Sequence, residues 1–269
     1  MATALDEQEQ GEANVRIFQA LWLALKDAFE ELLLMIISNV LWLVISAPLL
    51  VLTLTALSNG FYLLGLLLAL LEIVPLGPAT AGLFSVAQRI TEGRASTWRD
   101  FISGMRRYAV QSWKVMGIWM VVLIIILVDI AFYSGIGNFF GGLMMVFWTY
   151  LLFVWIATLI YLFPLLLLQE QFQLRLLGRN VFLMTMGRPV FTLCTFVLMV
   201  LIAGLSSIII LLPLLFTIAL LAQWSFRATL ELIKESEERR AALENQVSEK
   251  ESQVQELHEK GRRGQIRSK

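Results

Sequence analysis

The sequence predicts an all-α, polytopic helical membrane protein with about six transmembrane helices, five being the rival count. Two observations predict it. Hydrophobic residues make up 58% of the 269 and charged residues only 16%, whereas a soluble domain carries about 45–50% apolar and about 25% charged residues. The apolar excess is also gathered into long uncharged runs, while the charges collect near the N-terminus, between the runs and after Arg227. That is the pattern of a chain whose solvent is a bilayer.

The chain opens on "MATALDEQEQGEANV", which is acidic and has no basic region ahead of a short apolar core. No cleavable signal peptide is therefore expected. "NVRIFQALWLALKDAFEE" follows, with Val15, Phe18, Trp22, Leu25 and Phe29 at three- and four-residue spacings that make one apolar helical face. Residues 1–30 are expected to include an interfacial amphipathic helix on the inner leaflet, Trp22 at headgroup depth. A cytoplasmic extension of the first span is the alternative.

A helix needs about 20 apolar residues to cross the hydrocarbon core. The first run, 32–57, exceeds that and ends at the turn signal Ser58-Asn59-Gly60. The second starts at Phe61, carries Glu72, meets Pro75 and the pair Gly77-Pro78, and resumes through Val86. The third is 113–133 and the fourth 139–168, with the glycine-rich "SGIGNFFGG" between them. The last run, 190–226, would be about 55 Å long as one helix. A tight reversal is expected at "AGLSS", residues 203–207, which makes two spans of it. The transmembrane domain then covers 31–226, with cytoplasmic linkers near 88–113 and 169–189.

Basic residues set the orientation. The segment between spans two and three carries Arg89, Arg94, Arg99, Arg106, Arg107 and Lys114, and that between spans four and five carries Arg175, Arg179 and Arg188. The other turns hold no Lys or Arg. The positive-inside rule makes both basic segments cytoplasmic. With six spans both termini are cytoplasmic as well.

"TEGRASTWRDFISGMRRYAVQSWK" repeats Trp98, Phe101, Met105 and Tyr108 at helical spacing, with Ser96 or Thr97 as its N-cap. Arg89, Arg99, Asp100, Arg106 and Arg107 are the candidate cytoplasmic contact residues. "LRLLGRNVFLMTMGRP" has a similar character before span five, which hints at a repeated unit of linker helix and two spans. Residues 227–269 form a charged helix with Glu235–Arg239 and Glu256–Lys260 at i,i+4. A heptad frame puts Ile233, Val247 and Val254 at a and Leu243 and Leu257 at d, but also Arg240 at a and Ser236 and Lys250 at d. A weak coiled coil, which would make a homo-oligomer, and a solvated single helix that frays at its basic tip "GRRGQIRSK" both remain open. Nucleic acid is not an expected partner, because the tail is nearly balanced in charge.

The only histidine, His258, lies in that tail, and there is no Walker loop, CxxC or HExxH. No catalytic residue, metal or cofactor is expected. Cys194 reads as a small hydrophobe in an apolar run. Two carboxylates fall within spans, Glu72 near mid-membrane and Asp129 toward an outer end. A charge at a helix centre costs about 2.5–3.5 kcal/mol on insertion scales, so each needs a partner, water or a proton. Glu72 reads either as a proton- or cation-linked residue beside an interrupted helix or as an architectural residue where "PLGPAT" turns at the membrane surface. Pro75 and Pro78 remove backbone donors and Gly77 lets the chain bend. Asp129 reads as an interfacial residue. Thr80, which ends "PLGPAT", is a functional or architectural candidate with Glu72, Pro75, Gly77, Pro78 and Asp129. Asn39, Ser46, Thr149, Thr158, Tyr161, Thr195 and Gln223 are polar side chains that line a path or bond helix to helix.

"LGPATAGLFSVAQRITEGRASTWRDFISGMRRY" resembles the signature region of the YesL-like family of bacterial integral membrane proteins, a domain of unknown function. The residues that carry the resemblance are Gly77-Pro78-Ala79-Thr80, Leu83, Val86, Arg89, Gly93, Asp100-Phe101 and Arg107-Tyr108. It extends over residues 32 to about 232. The stretch around 61–71 and the charged C-terminal helix look like additions to the family pattern. The resemblance implies a bacterial plasma membrane, no established activity, "GPAT" as an architectural turn, and a companion role beside carbohydrate ABC transporters. The reading is thus a non-enzymatic accessory or regulatory partner of a membrane complex. A small autonomous transporter or channel with Glu72 as its coupling residue is the second reading.

Overall fold

The structure, a computed structural model, describes residues 19–27, 29–209 and 211–267, with side chains through Ser248 and at Glu251. The expected contributions of Val15, Phe18, Val254, Leu257, His258 and the Glu256–Lys260 pair lie outside the described side chains. Residues 19–27 are helical, and ten further helices follow. They are α1 (Leu32–Ser58), α2 (Tyr62–Leu71), α3 (Ile73–Thr91), α4 (Trp98–Arg107) and α5 (Ala109–Ser134), then α6 (Phe139–Ala157), α7 (Leu159–Leu168), α8 (Leu174–Gly187) and α9 (Pro189–Ile208). A π-helical turn, Pro213–Thr217, leads into α10 (Ile218–Arg267).

Six stretches are long and apolar enough to cross a membrane: Leu32–Ser58, Tyr62–Thr91, Ala109–Ser134, Phe139–Leu168, Pro189–Ile208 and Pro213–Ser248. Among the described residues the count is six, and the protein is a polytopic all-α membrane protein. Two of the spans are made from consecutive helices. Glu72 joins α2 to α3 with right-handed helical dihedrals, and Thr158 joins α6 to α7 in the same way. Leu63 and Val146 are exposed, as lipid-facing residues should be.

Two local expectations are corrected. "GPAT" is not a surface turn, because Gly77, Pro78, Ala79 and Thr80 lie inside α3 and the first three are buried. The helix tolerates Pro78 by passing the carbonyl it frees to another donor. Pro78 cannot donate to Val74 O, and the Trp113 indole N–H takes that carbonyl at 3.0 Å. The last hairpin also turns later than 203–207. α9 runs through "AGLSS", where the Ser206 and Ser207 hydroxyls bond back to Ala203 O at 3.3 and 2.7 Å. A single glycine does not end a helix whose serines can satisfy its own carbonyls. The chain leaves the helix at Ile209, which is extended, and re-enters a helical path just before Pro213. Within the stretches 88–113 and 169–189 the chain is not helical at 92–97, 108, 169–173 and 188, and α4 and most of α8 supply the amphipathic linker helices.

Buried polar side chains join the spans. Asn39, fully buried on α1, donates to Pro213 O and Leu214 O at 3.0 and 2.8 Å and accepts from Ala219 N–H at 3.0 Å. All three groups lie in the π-helical turn or just after it. Asp27 receives Gln223 Nε2 at 3.0 Å and Arg227 Nε at 2.9 Å, while Gln223 also donates to Thr91 Oγ1 at 2.9 Å. This mostly buried ion pair ties the segment ahead of α1 to α10 and α3. Ala20 and Ala24 are buried in the same segment, and Trp22 and Phe29 are exposed.

The chain divides into two compact units between Thr229 and Leu230. In the second, Leu230–Lys269, Arg239 and Glu235 pair at 3.3 Å, and Leu243 and Val247 are exposed. Its helix continues to Arg267.

Candidate functional site

The site is built on α3, because three of its glycine and serine positions let other backbones come close. A Cβ on Gly77 would sit 3.2 Å from Ser112 O, and one on Gly82 would sit 2.7 Å from Phe101 O. A Cβ on Gly104, in α4, would run into the side chain of Ser85. Small residues facing one another are how membrane helices gain contact when lipid is as apolar as leucine. The apolar anchor Phe101 is fully buried, so α4 is held against α3 in one orientation.

The linker 92–97 is fixed from both sides. Asp100 Oδ2 accepts from Thr97 N–H at 2.8 Å, the reciprocal half of an N-terminal capping box, and this makes Thr97 the cap. Arg89 bridges the other way, pairing with Asp100 Oδ1 at 3.1 Å and donating to Ala95 O at 3.3 Å. Arg94 pairs with Glu92 at 3.1 Å. Gly93 has φ +66°, a left-handed conformation that suits the end of α3.

Arg89, Asp100 and Arg107 meet in one polar cleft of about 520 Å³. The sequence reading did not anticipate Glu92, Arg94 and Glu170, which line it too. Their signal was the alternation of acids and bases across the linker, which reads as ordinary solubility until α3 and α4 are folded together. Arg89 and Asp100 neutralise one another, so their work is to position α4. Arg99, Arg106 and Arg107 are different. All three are exposed, and among the described residues no carboxylate pairs with them. Arg99 lies over the Trp98 ring at 5.6 Å and Arg107 over the Tyr108 ring at 5.4 Å. Aromatic support of this kind holds a guanidinium outward without discharging it.

Residues 34–130 match a family model described as "Protein of unknown function, DUF624". The matched stretch runs from α1 through most of α5. It therefore contains the Gly77–Thr80 sequence, the α3–α4 contact and Arg99, Arg106 and Arg107. The match also runs through α2. It is shorter than the resemblance over 32–232, and it leaves α6 to α10 uncovered. No curated protein and no solved structure matches the chain.

The other sequence candidates fall elsewhere. Thr80 donates to Leu76 O at 2.7 Å and accepts from Trp42 Nε1 at 3.0 Å, so it bonds α1 to α3. Asp129 is half-buried in α5. Glu72 is 2% exposed, and neither carboxylate oxygen has a hydrogen-bond partner among the described residues. It is the only charged residue from Leu32 to Gln88. Its backbone is ordinary helix, with Glu72 N–H on Leu68 O at 2.9 Å and Leu76 N–H on Glu72 O at 3.0 Å. Leu57 meets Gly65 and Trp42 meets Thr80, a register between α1 and α2–α3 that brings Pro75 to the level of Pro48. Both spans thus lack a backbone donor at the same depth, close to Glu72.

Proposed function

We propose that this chain is a non-enzymatic accessory or regulatory subunit of a larger membrane complex. It would sit in the plasma membrane of a bacterium with both termini in the cytoplasm, where the positive-inside rule puts its basic segments. The partner class is a transporter, such as a carbohydrate ABC transporter, as the family resemblance implies. The observation that carries the reading is α4. A ten-residue helix is clamped by Gly82, Gly104 and Phe101, and it presents Arg99, Arg106 and Arg107, which pair with no carboxylate among the described residues. A rigid, unneutralised basic face suits an acidic surface on another subunit, since charge complementarity selects partners and excludes wrong ones. Leu243 and Val247, exposed on the C-terminal helix, give a second contact that favours a homo-oligomer. Trp22 and Phe29 suit a segment lying at the headgroups.

The test is copurification from the native membrane in mild detergent, with partners identified by mass spectrometry. The wild-type chain is expected to bring down stoichiometric transporter subunits. Arg99→Glu, Arg106→Glu and Arg107→Glu together are expected to lose them while the thermal unfolding midpoint stays put. Full retention of the partners by the triple variant removes α4 from the interface.

Glu72 favours the second reading, a small transporter with a proton- or cation-linked carboxyl. A buried acid with no partner among the described residues, on one of two neighbouring proline-containing spans, is where a membrane protein keeps an exchangeable charge. Glu72→Gln in liposomes is expected to flatten the pH dependence of any flux without loss of folded protein. A wild-type pH profile in that variant would end this reading.

A further inference from the structure

We propose that the spans enclose a binding chamber for one hydrocarbon chain of a bilayer lipid, admitted from the side at α9. The chamber has a volume of about 440 Å³, and all six spans contribute to its wall. That size is within the range of about 300–1,000 Å³ typical of ligand sites. One of the spans that border it is irregular beside it: Ile218 follows directly on the π-helical turn. Irregular backbone at membrane depth is tolerated where protein or a cavity covers it.

The chemistry of the wall selects the occupant. Its few polar groups are already bonded within the protein. Trp42 Nε1 is on Thr80 Oγ1, Trp119 Nε1 is on Thr158 Oγ1 at 3.2 Å, and Ser225 Oγ is on Ile160 O at 2.5 Å. A sugar or an ion entering would lose its water and find no free donor or acceptor, which costs several kcal/mol per group. A hydrocarbon chain loses nothing of the kind. An empty chamber, by contrast, leaves the wall atoms without contacts on one side. Met116, Met120 and Met199 add an adaptable lining that suits a chain rather than a rigid ring system.

The source follows from the mouth. Val200 lines the chamber and is also 53% exposed. Its neighbours Val197 and Leu201 are exposed on the same helix, which makes this part of α9 a lipid-facing surface. The chamber therefore opens toward acyl chains already present at high local concentration.

The experiment uses the full chain in phosphatidylcholine vesicles that contain a trace of phospholipid with a mid-chain diazirine. After irradiation, adducts are mapped by peptide mass spectrometry. Adducts are expected on buried Met116 or Met199 as well as on exposed Val128 and Val146. Ala203→Phe and Ala222→Phe each place a ring in the chamber, and each is expected to lose the buried adducts while keeping the exposed ones. The exposed adducts and an unchanged unfolding midpoint show that a variant is folded and inserted. Should one substitution fail to fold, the other and the wild-type map decide. Labelling confined to exposed residues in the wild type overturns the proposal, as do buried adducts that persist undiminished in the filled chamber.

Discussion

Gly82→Val is expected to cost about 3 kcal/mol of stability, the upper end for overpacking a well-filled site, and to lower the unfolding midpoint in mild detergent accordingly. The neighbour a Cβ would meet is a backbone oxygen, Phe101 O at 2.7 Å, so no rotamer change relieves it. The fully buried Phe101 side chain also fixes α4 and cannot retreat. Gly104→Ala meets a side chain instead, that of Ser85, and this makes it reversible in a specific way. Ser85→Gly in the same chain is expected to restore much of the loss, because it removes the atoms in the way. Gly117→Ala, in α5, has nothing within 4 Å of the new Cβ and is expected to be neutral or slightly stabilising. Equal midpoints for Gly82→Val and Gly117→Ala would show that α4 is not packed on α3 as described. Loss of partner binding in Gly82→Val with its midpoint retained would instead point to the orientation of Arg99, Arg106 and Arg107.

The comparison of Gly82 with Gly117 also marks what the sequence could and could not reveal. The spans were legible because the bilayer imposes a length and a composition that composition alone can report. Six rather than five followed from the run 190–226, too long for one helix, and the alternation of basic segments with uncharged turns agreed with it. The glycines were not separable, since Gly77 and Gly82 sit in the same kind of apolar surroundings as Gly117. What distinguishes them is a backbone arriving from another helix, and no local pattern records that. "GPAT" misled for a related reason. Pro78 and Gly77 signal a turn in water, yet in a span the Trp113 indole can satisfy the freed Val74 carbonyl from a neighbouring helix. Asp27 and Arg227 are 200 residues apart, and each reads alone as a solvated charge. The arginines of α4 were visible as a basic segment. Their division into Arg89, used up in the fold, and Arg99, Arg106 and Arg107, which meet no carboxylate among the described residues, required the position of Asp100.

Asn39→Leu is expected to be the other severe change, costing about 3 kcal/mol through three hydrogen bonds at about 1 kcal/mol each, with more if the backbone groups stay buried and unpaired. The reason lies in the π-helical turn. Pro213 contributes no N–H, and a change of helical pitch leaves carbonyls and amides out of register. One side chain answers both needs, because an amide is donor and acceptor at once. Asn39→Asp separates the two roles. It keeps an oxygen for Ala219 N–H but sets a second oxygen against Pro213 O and Leu214 O, so its overall loss should equal or exceed that of leucine. Hydrogen exchange at Ala219 reads the difference locally: the amide should be fast in Asn39→Leu and still protected in folded Asn39→Asp. Slow exchange at Ala219 in Asn39→Leu would mean that the π-helical turn holds itself. The lipid-binding chamber gives the result a second consequence, since Ile218 and Leu221 in its wall follow directly on that turn. If Asn39 sets the pitch at which α10 begins, Asn39→Leu should also reduce labelling of Met116 and Met199, even where the chain remains inserted.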